Sequence, residues 1–202
     1  MLDGIHYFMR GTPYIYQGQE IGMTNSDIDS IDGYQDLETH NIYRTAKKYH
    51  LPNSYINKTI KNSSRDNART PMQWNDEKNA GFTTGKPWLK INDNCSFINV
   101  ENSLKDEDSI FKYYQKLLKV RQNERLVIDG KYIDLLPKHK KIYAYKREGN
   151  KESLIVIANY SSSIIKLPLN NLDKYEVLIN NYPDFNSKEL QPYQAVVLKV
   201  KN

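Results

Sequence analysis

Three patterns of apolar and polar positions follow one another along the chain. At the start, Leu2, Ile5, Phe8 and Met9 recur at helical spacing, and Gly11 stands where a C-terminal cap belongs. The stripe predicts a helix over 2–10, one that Met1 enters in mid-helix. Tyr14-Ile15-Tyr16 lies between Pro13 and Gly18 and predicts a short, mostly buried strand. From Gln19 to about Lys105 neither the helical nor the strand period holds, and turn-forming residues punctuate the chain. A long irregular excursion of this kind inside a compact protein is usually functional. Helical periodicity returns after the acidic start Asp106-Glu107-Asp108. Ile110, Tyr113 or Tyr114, Leu117 and Leu118 share one face there, and Lys119 and Arg121 suit the helix end.

After Arg125 the pattern changes again. Leu126-Val127-Ile128, Ile142 to Tyr145, Leu154 to Ile157, Ile164-Ile165, Val177 to Ile179 and Val196 to Leu198 are short β-branched or aromatic runs, most of them separated by turn-prone residues. Such runs predict an antiparallel sheet or sandwich. Two regions are therefore expected, 1–125 and 126–202, and no internal repeat is evident.

Composition narrows the class. The chain has 202 residues, 39% of them hydrophobic, enough for one large domain or two small ones with a real core. Sixteen tyrosines against five phenylalanines suit half-buried strands and edges facing sugar or solvent. The net charge of +5 is scattered and broken by acids, so no basic stripe for nucleic acid exists. One cysteine, Cys95, excludes an intrachain disulfide and a cysteine-based zinc site. No run approaches the roughly 18 apolar residues of a membrane span, and the first residues do not form a signal peptide. These features predict a cytoplasmic protein.

Candidate chemistry sits in the irregular stretch. Asp27, Asp29, Asp32, Asp36 and Glu38 resemble a calcium loop, but Ile31 occupies a ligand position and Asp32 stands where glycine is needed. A solvated acidic loop is the expectation, with neither metal nor cofactor. Asp36 and Glu38 could also be imagined as a carboxylate pair, yet their sequence spacing says nothing of the separation of about 5–5.5 Å that retaining glycoside chemistry needs. The four histidines show no ligand spacing, and no nucleophile motif or phosphate loop is present. In SRDNARTPMQWN, Ser64 to Asn75, two arginine forks stand beside a proline and a tryptophan. A guanidinium fork suits vicinal sugar hydroxyls or a carboxylate partner. Either Arg65 and Arg69 bind a sugar, or both tie the loop to acids such as Asp66.

GTPYIYQGQEIGMTN (11–25), SRDNARTPMQW (64–74) and AGFTTGKPWLKIN (80–92) together resemble the α-glucosidases of glycoside hydrolase family 13, of the oligo-1,6-glucosidase and trehalose-6-phosphate hydrolase type. The resemblance implies the last part of a TIM barrel followed by a C-terminal β-sandwich. Residues 2–10 would end barrel helix seven, residues 12–17 would be strand eight, and the helix near 106–122 would be helix eight. The loops at the C-terminal ends of barrel strands build such sugar pockets. By this resemblance Arg65 grips the terminal glucose, and Glu38 touches the next unit. Arg69, Pro71 and Trp74, with Gln17 and Glu20, shape the pocket. Gln35 stands where relatives often have arginine.

The family's retaining mechanism needs an Asp nucleophile and a Glu acid/base. The motifs that carry them lie upstream of strand eight and do not occur in these residues. The resemblance thus implies the C-terminal portion of an α-glucosidase for short α-glucosides, inactive alone. The missing barrel portion would be a separate chain, unless the sequence is a truncated product or begins at a misplaced start codon. One barrel strand cannot close a barrel, whereas a sandwich of about 75 residues is within reach of independent folding. The competing expectation is a non-catalytic sugar-binding or assembly module. A row of exposed tyrosines on one sheet face would favour it. Tyr143 and Tyr145 share a face, which alternation in a sandwich more often turns inward.

Overall fold

A computed structural model describes residues 1–201. The chain forms two compact units, residues 1–14 together with residue 113 onward, and residues 15–112. The helices are α1 Leu2–His6, α2 Leu37–Lys48, α3 Asn53–Ser63, α4 Val100–Lys105, α5 Ile110–Asn123 and α6 Leu126–Asp129. The strands are β1 Lys131–Asp134, β2 Ile142–Glu148, β3 Glu152–Asn159, β4 Ile165–Lys166, β5 Glu176–Asn180, β6 Glu189–Leu190 and β7 Ala195–Lys201.

The sheet unit is built on an antiparallel five-stranded sheet of order β1-β2-β3-β7-β5. Successive residues along its central strands serve opposite faces. Tyr145, Leu154, Val156, Ala158, Ala195 and Val197 pack with Ile5, Tyr7 and Phe8, and with Tyr114 and Leu117 of α5. Ala144, Ile157, Val196 and Leu198 pack on the other face with Leu167, Leu172 and Leu190. The two-stranded ladder β4-β6 sets Ile165 opposite Leu190 on that side. Both faces are buried at the centre, so β3 and β7 read as continuous apolar runs rather than alternating ones.

Three local expectations are corrected. The first helix ends at His6, with Tyr7 as its cap, well before Gly11. Arg121 is the cause, because its guanidinium donates to the carbonyls of Tyr7, Met9 and Gly11 and draws that segment away from the helical ladder. Residues 12–16 are irregular, residue 17 opens a turn, and none of them forms a strand. Among the described residues no strand pairs with them. Instead the Tyr14 carbonyl accepts from Tyr7 Oη at 3.3 Å, and the Tyr16 amide donates to Gln19 Oε1. Tyr14 is exposed rather than buried. Finally, Leu126-Val127-Ile128 is a helical turn. Arg147 Nε and Nη2 donate to the carbonyls of Leu126 and Val127 at 3.2 and 2.9 Å, fixing the turn's end. Gly130 follows where any Cβ would meet the Leu126 carbonyl at 2.5 Å.

Residues 15–112 carry little sheet-like or strongly apolar material. A small cluster of Ile28, Tyr34, Ile56 and Ile60 forms beside α2 and α3. Buried polar side chains hold the rest. Asn92 Oδ1 accepts the Asp27 amide, and its Nδ2 donates to the Thr24 carbonyl at 3.0 Å. Asn67 Oδ1 accepts both the amide and the hydroxyl of Ser26. Gln73 is fully buried and donates to Asn94 and to the Ile98 carbonyl. Asn99 caps α4 by accepting from the Asn102 amide at 2.7 Å. The excursion expected to be irregular is therefore a set of short helices joined by amide-locked loops.

Candidate functional site

The site begins where α3 ends. Ser64 leaves the helix in extended conformation, and Arg65–Ala68 form one tight turn whose Asp66 amide donates to Ser64 Oγ at 3.2 Å. The turn sends Asp66 inward, where it is fully buried. Its Oδ2 accepts the backbone amides of Gln35 and Asp36 at 2.7 and 2.9 Å. The two amides satisfy Oδ2, while Oδ1 is buried with no hydrogen-bond partner among the described residues and only an arginine within ion-pair distance.

Those amides fix the start of α2, and Asp36 is its N-cap. Asp36 Oδ2 accepts the Thr39 amide at 3.2 Å and the Thr39 hydroxyl at 2.9 Å. The Thr39 and Ser64 hydroxyls lie 2.8 Å apart, which locks the start of α2 to the end of α3. Asp36 Oδ1 takes Arg65 Nε at 3.0 Å and Arg65 Nη2 at 2.6 Å. Hydrogen bonding from Arg65 is the main reason the Asp36 carboxyl is held well below the usual carboxylate range, against the opposing effect of its burial. The same contact pushes Arg65 up from an already high value.

Glu38 stands on the first turn of α2, with Oε2 3.5 Å from Arg65 Nη2. Arg69 Nη2 lies 2.9 Å from Asp66 Oδ1 and 3.2 Å from Asp36 Oδ1. These are ion pairs by distance rather than aligned hydrogen bonds, since Arg69 Nε and Nη2 are buried with no hydrogen-bond partner among the described residues. The Arg69 guanidinium also lies 5.8 Å from the Trp88 ring centroid, within cation–π range.

The expected site residues thus fall into two groups, with Glu20 outside both. Arg65, Glu38 and Arg69 converge on one cluster around Asp36 and Asp66. Pro71 is buried just beyond it, and Trp74 is pinned by its backbone to Ala80 and Glu101 while its ring stays half exposed. Gln17 lines a separate cavity of about 310 Å³ with Tyr16, Ser64, Asn67 and Thr70. Glu20 joins neither, and its Oε2 is buried with no hydrogen-bond partner among the described residues. Of the two readings of the arginine pair, Arg69 meets the acid-tying one, through Asp66. Arg65 is tied too, but to Asp36, and its side chain is 63% exposed. Asp36 as anchor was missed; the signal was Asp36-Leu37-Glu38-Thr39, an N-cap residue with a hydroxyl three positions on.

The acids imagined as a calcium loop are dispersed. Asp27 pairs with Lys61, and Lys90 lies 2.9 Å from Asp93 and 3.9 Å from Asp29. Among the described residues no cluster of three or more metal-ligating side chains occurs, and no helix is long and apolar enough to cross a membrane. In the sheet unit, Tyr145 is fully buried and its hydroxyl donates to the Ile5 carbonyl at 2.6 Å. Tyr143 is half-buried and shares a hydrogen bond of 2.9 Å with the exposed Tyr132.

Comparison with known proteins supplies the family. Residues 1–130 match the model described as alpha amylase, catalytic domain. The chain belongs to the alpha-amylase family of glycoside hydrolases. Among curated alpha-amylase family relatives, it is 44% identical to an oligo-1,6-glucosidase of Bacillus cereus, covering 100% of this chain and 38% of that protein. It is 39% identical to a trehalose-6-phosphate hydrolase of Escherichia coli, covering 97% of this chain and 36% of that protein. Among solved structures, a trehalose-6-phosphate hydrolase of Bacillus licheniformis superposes with a TM-score of 0.92 at 40% identity, covering 100% of this chain and 38% of that one. This member of the family therefore spans less than two-fifths of the length of the relatives it matches.

Proposed function

We propose that the chain is the C-terminal portion of a retaining α-glucosidase acting on short α-glucosides such as isomaltose. In this reading, residues 1–125 carry the end of the catalytic barrel and 126–202 a C-terminal β-sandwich. Arg65 grips the terminal glucose and Glu38 the next unit. Arg69, Pro71, Trp74, Gln17 and Glu20 keep the pocket's shape. The observation that carries the reading is the Arg65 guanidinium, held rigidly at one edge yet largely open to solvent. A planar fork fixed in this way suits a pair of sugar hydroxyls. Three carboxylates surround two arginines there, so an uncharged sugar unit fits this point better than a phosphate; the terminal glucose of isomaltose and the unphosphorylated glucose of trehalose 6-phosphate both meet that condition.

The chemistry itself comes from outside these residues. Asp36 and Asp66 are buried and engaged by arginines and amides, so neither is free to attack a sugar or move a proton. The nucleophile and acid/base belong to the barrel portion upstream of strand eight, and the whole enzyme would act in the cytoplasm. The purified chain is expected to leave an aryl α-glucoside uncleaved, and turnover that survives contaminant controls would overturn this assignment. In the reconstituted enzyme, Arg65→Ala is expected to weaken glucose recognition, and unchanged kinetics would remove the role given to Arg65.

The non-catalytic module remains the second reading, favoured by the exposed Tyr132 and Tyr160 that flank Tyr143. The buried Tyr145 in the same row counts against it.

A further inference from the structure

Asp36 divides its two oxygens between two tasks. Oδ2 serves the helix by accepting the amide and hydroxyl of Thr39. Oδ1 serves the arginines, taking Nε and Nη2 of Arg65 and lying 3.2 Å from Arg69 Nη2. Both Arg65 contacts fall on the same edge of the guanidinium. Two donors that share one fixed acceptor hold that edge of the guanidinium against the carboxylate and turn the opposite corner away from it. Glu38 approaches the same Nη2. The other terminal nitrogen, Nη1, has no partner among the described residues, and the side chain is 63% exposed. The anchor itself is rigid, because Asp36 is only 3% exposed and its amide is held by the buried Asp66.

We propose that Asp36 is a positioning residue that grips Arg65 by its Nε–Nη2 edge and so presents the two Nη1 N–H donors to a vicinal pair of sugar hydroxyls. The proposal rests on the sugar-binding reading of Arg65 and adds to it the group that fixes the fork. It differs from simple helix capping in what a substitution should do. Asparagine caps a helix about as well as aspartate, but it has one acceptor oxygen where the carboxylate has two. Asp36→Asn can therefore cap α2 or hold Arg65, not both. Serine also caps, and its side chain is too short to reach the guanidinium.

The test uses the full chain labelled with nitrogen-15. In the unsubstituted protein the Arg65 Nε–H signal should be resolved and slow to exchange. Asp36→Ser should speed that exchange by roughly tenfold or more while the Thr39 amide keeps its protection. Arg65 exchange as slow in both Asp36→Ser and Asp36→Asn as in the parent would overturn the proposal. Should Asp36→Ser lose the Thr39 protection as well, Asp36→Asn decides: keeping both the Thr39 protection and the slow Arg65 exchange overturns the proposal, and losing either one supports it. Titration with isomaltose separates this inference from the reading beneath it. If Arg65→Ala binds isomaltose as the parent does, the glucose-binding reading fails. If Arg65→Ala abolishes binding and Asp36→Ser does not weaken it, the positioning role alone fails. About tenfold weaker binding by Asp36→Ser is the expected result.

Discussion

The sheet unit and residues 15–112 are held together by different physics. At the centre of the sheet, Leu154, Val156, Ile157, Val197 and Leu198 are fully buried, and any apolar side chain of similar volume would serve nearly as well. In 15–112 the buried groups include Asp36, Asp66, Thr39, Ser64, Gln73, Asn92 and Asn99, each useful only with its particular partner. Hydrophobic burial is non-directional and gives a robust scaffold. Buried polar groups are directional and fix side chains in single orientations, as binding a sugar requires. The two regions should therefore fail in different ways.

The largest effect is expected at Asp66. Asp66→Ala removes the acceptor of two backbone amides and leaves Arg69 short of a partner, a loss of about 3–5 kcal/mol if it behaves as other broken buried pairs do. The two tryptophans of the chain, Trp74 and Trp88, both lie in 15–112, so urea unfolding followed by tryptophan fluorescence reads this region alone. A cost under about 1 kcal/mol would mean the polar cluster is not what holds it. Leu154→Ala is expected to cost about 2–5 kcal/mol in unfolding followed by far-ultraviolet circular dichroism. A Leu154→Met variant should recover most of that, which no isosteric change at Asp66 should do.

Acid should separate the regions next. The Asp36 carboxyl is depressed in the folded state, chiefly by Arg65. Its contribution to stability is therefore complete above the ordinary aspartate value of about 3.9 and is lost as pH falls below it. The urea midpoint read by tryptophan should drop between pH 5 and pH 3 on the order of this titration, and in Asp36→Ser that acid-sensitive part should shrink. A smaller effect is expected at Gly22, whose φ of +73° disfavours alanine and whose new Cβ would push aside the end of the Ile110 side chain, Cδ1 lying 2.6 Å away. Gly22→Ala should cost roughly 1 kcal/mol, again by tryptophan fluorescence. Smallest is Lys105→Ala, which breaks an exposed pair with Glu101 and should change stability by no more than about 0.5 kcal/mol.

The same contrast explains what the sequence disclosed. β2, β3 and β7 were legible because burial on one or both faces forces apolar runs, and β5 because its β-branched residues stand out although only Ile179 is buried. β1, with the sequence Lys-Tyr-Ile-Asp, and the two-residue β6 carry too little apolar signal to stand out. Leu126-Val127-Ile128 looks like a strand locally, and only the distant Arg147 makes it a turn. α2 and α3 escaped notice because their sequences are mostly polar and their few buried residues, such as Ile56 and Ile60, face a small cluster. Around the site, Arg65 and Glu38 could be singled out by motif, and the structure brings them within 3.5 Å. Asp36 and Asp66 could not be assigned their partners, since contacts across about 30 residues leave no periodic trace.

Titration of isomaltose into the nitrogen-15-labelled chain tests the central claim most directly. The account predicts saturable shifts at the Arg65 side chain and along 64–66 and 35–39, and their loss in Arg65→Ala. Shifts confined to the sheet tyrosines, or an Arg65→Ala chain that binds as the parent does, would contradict it.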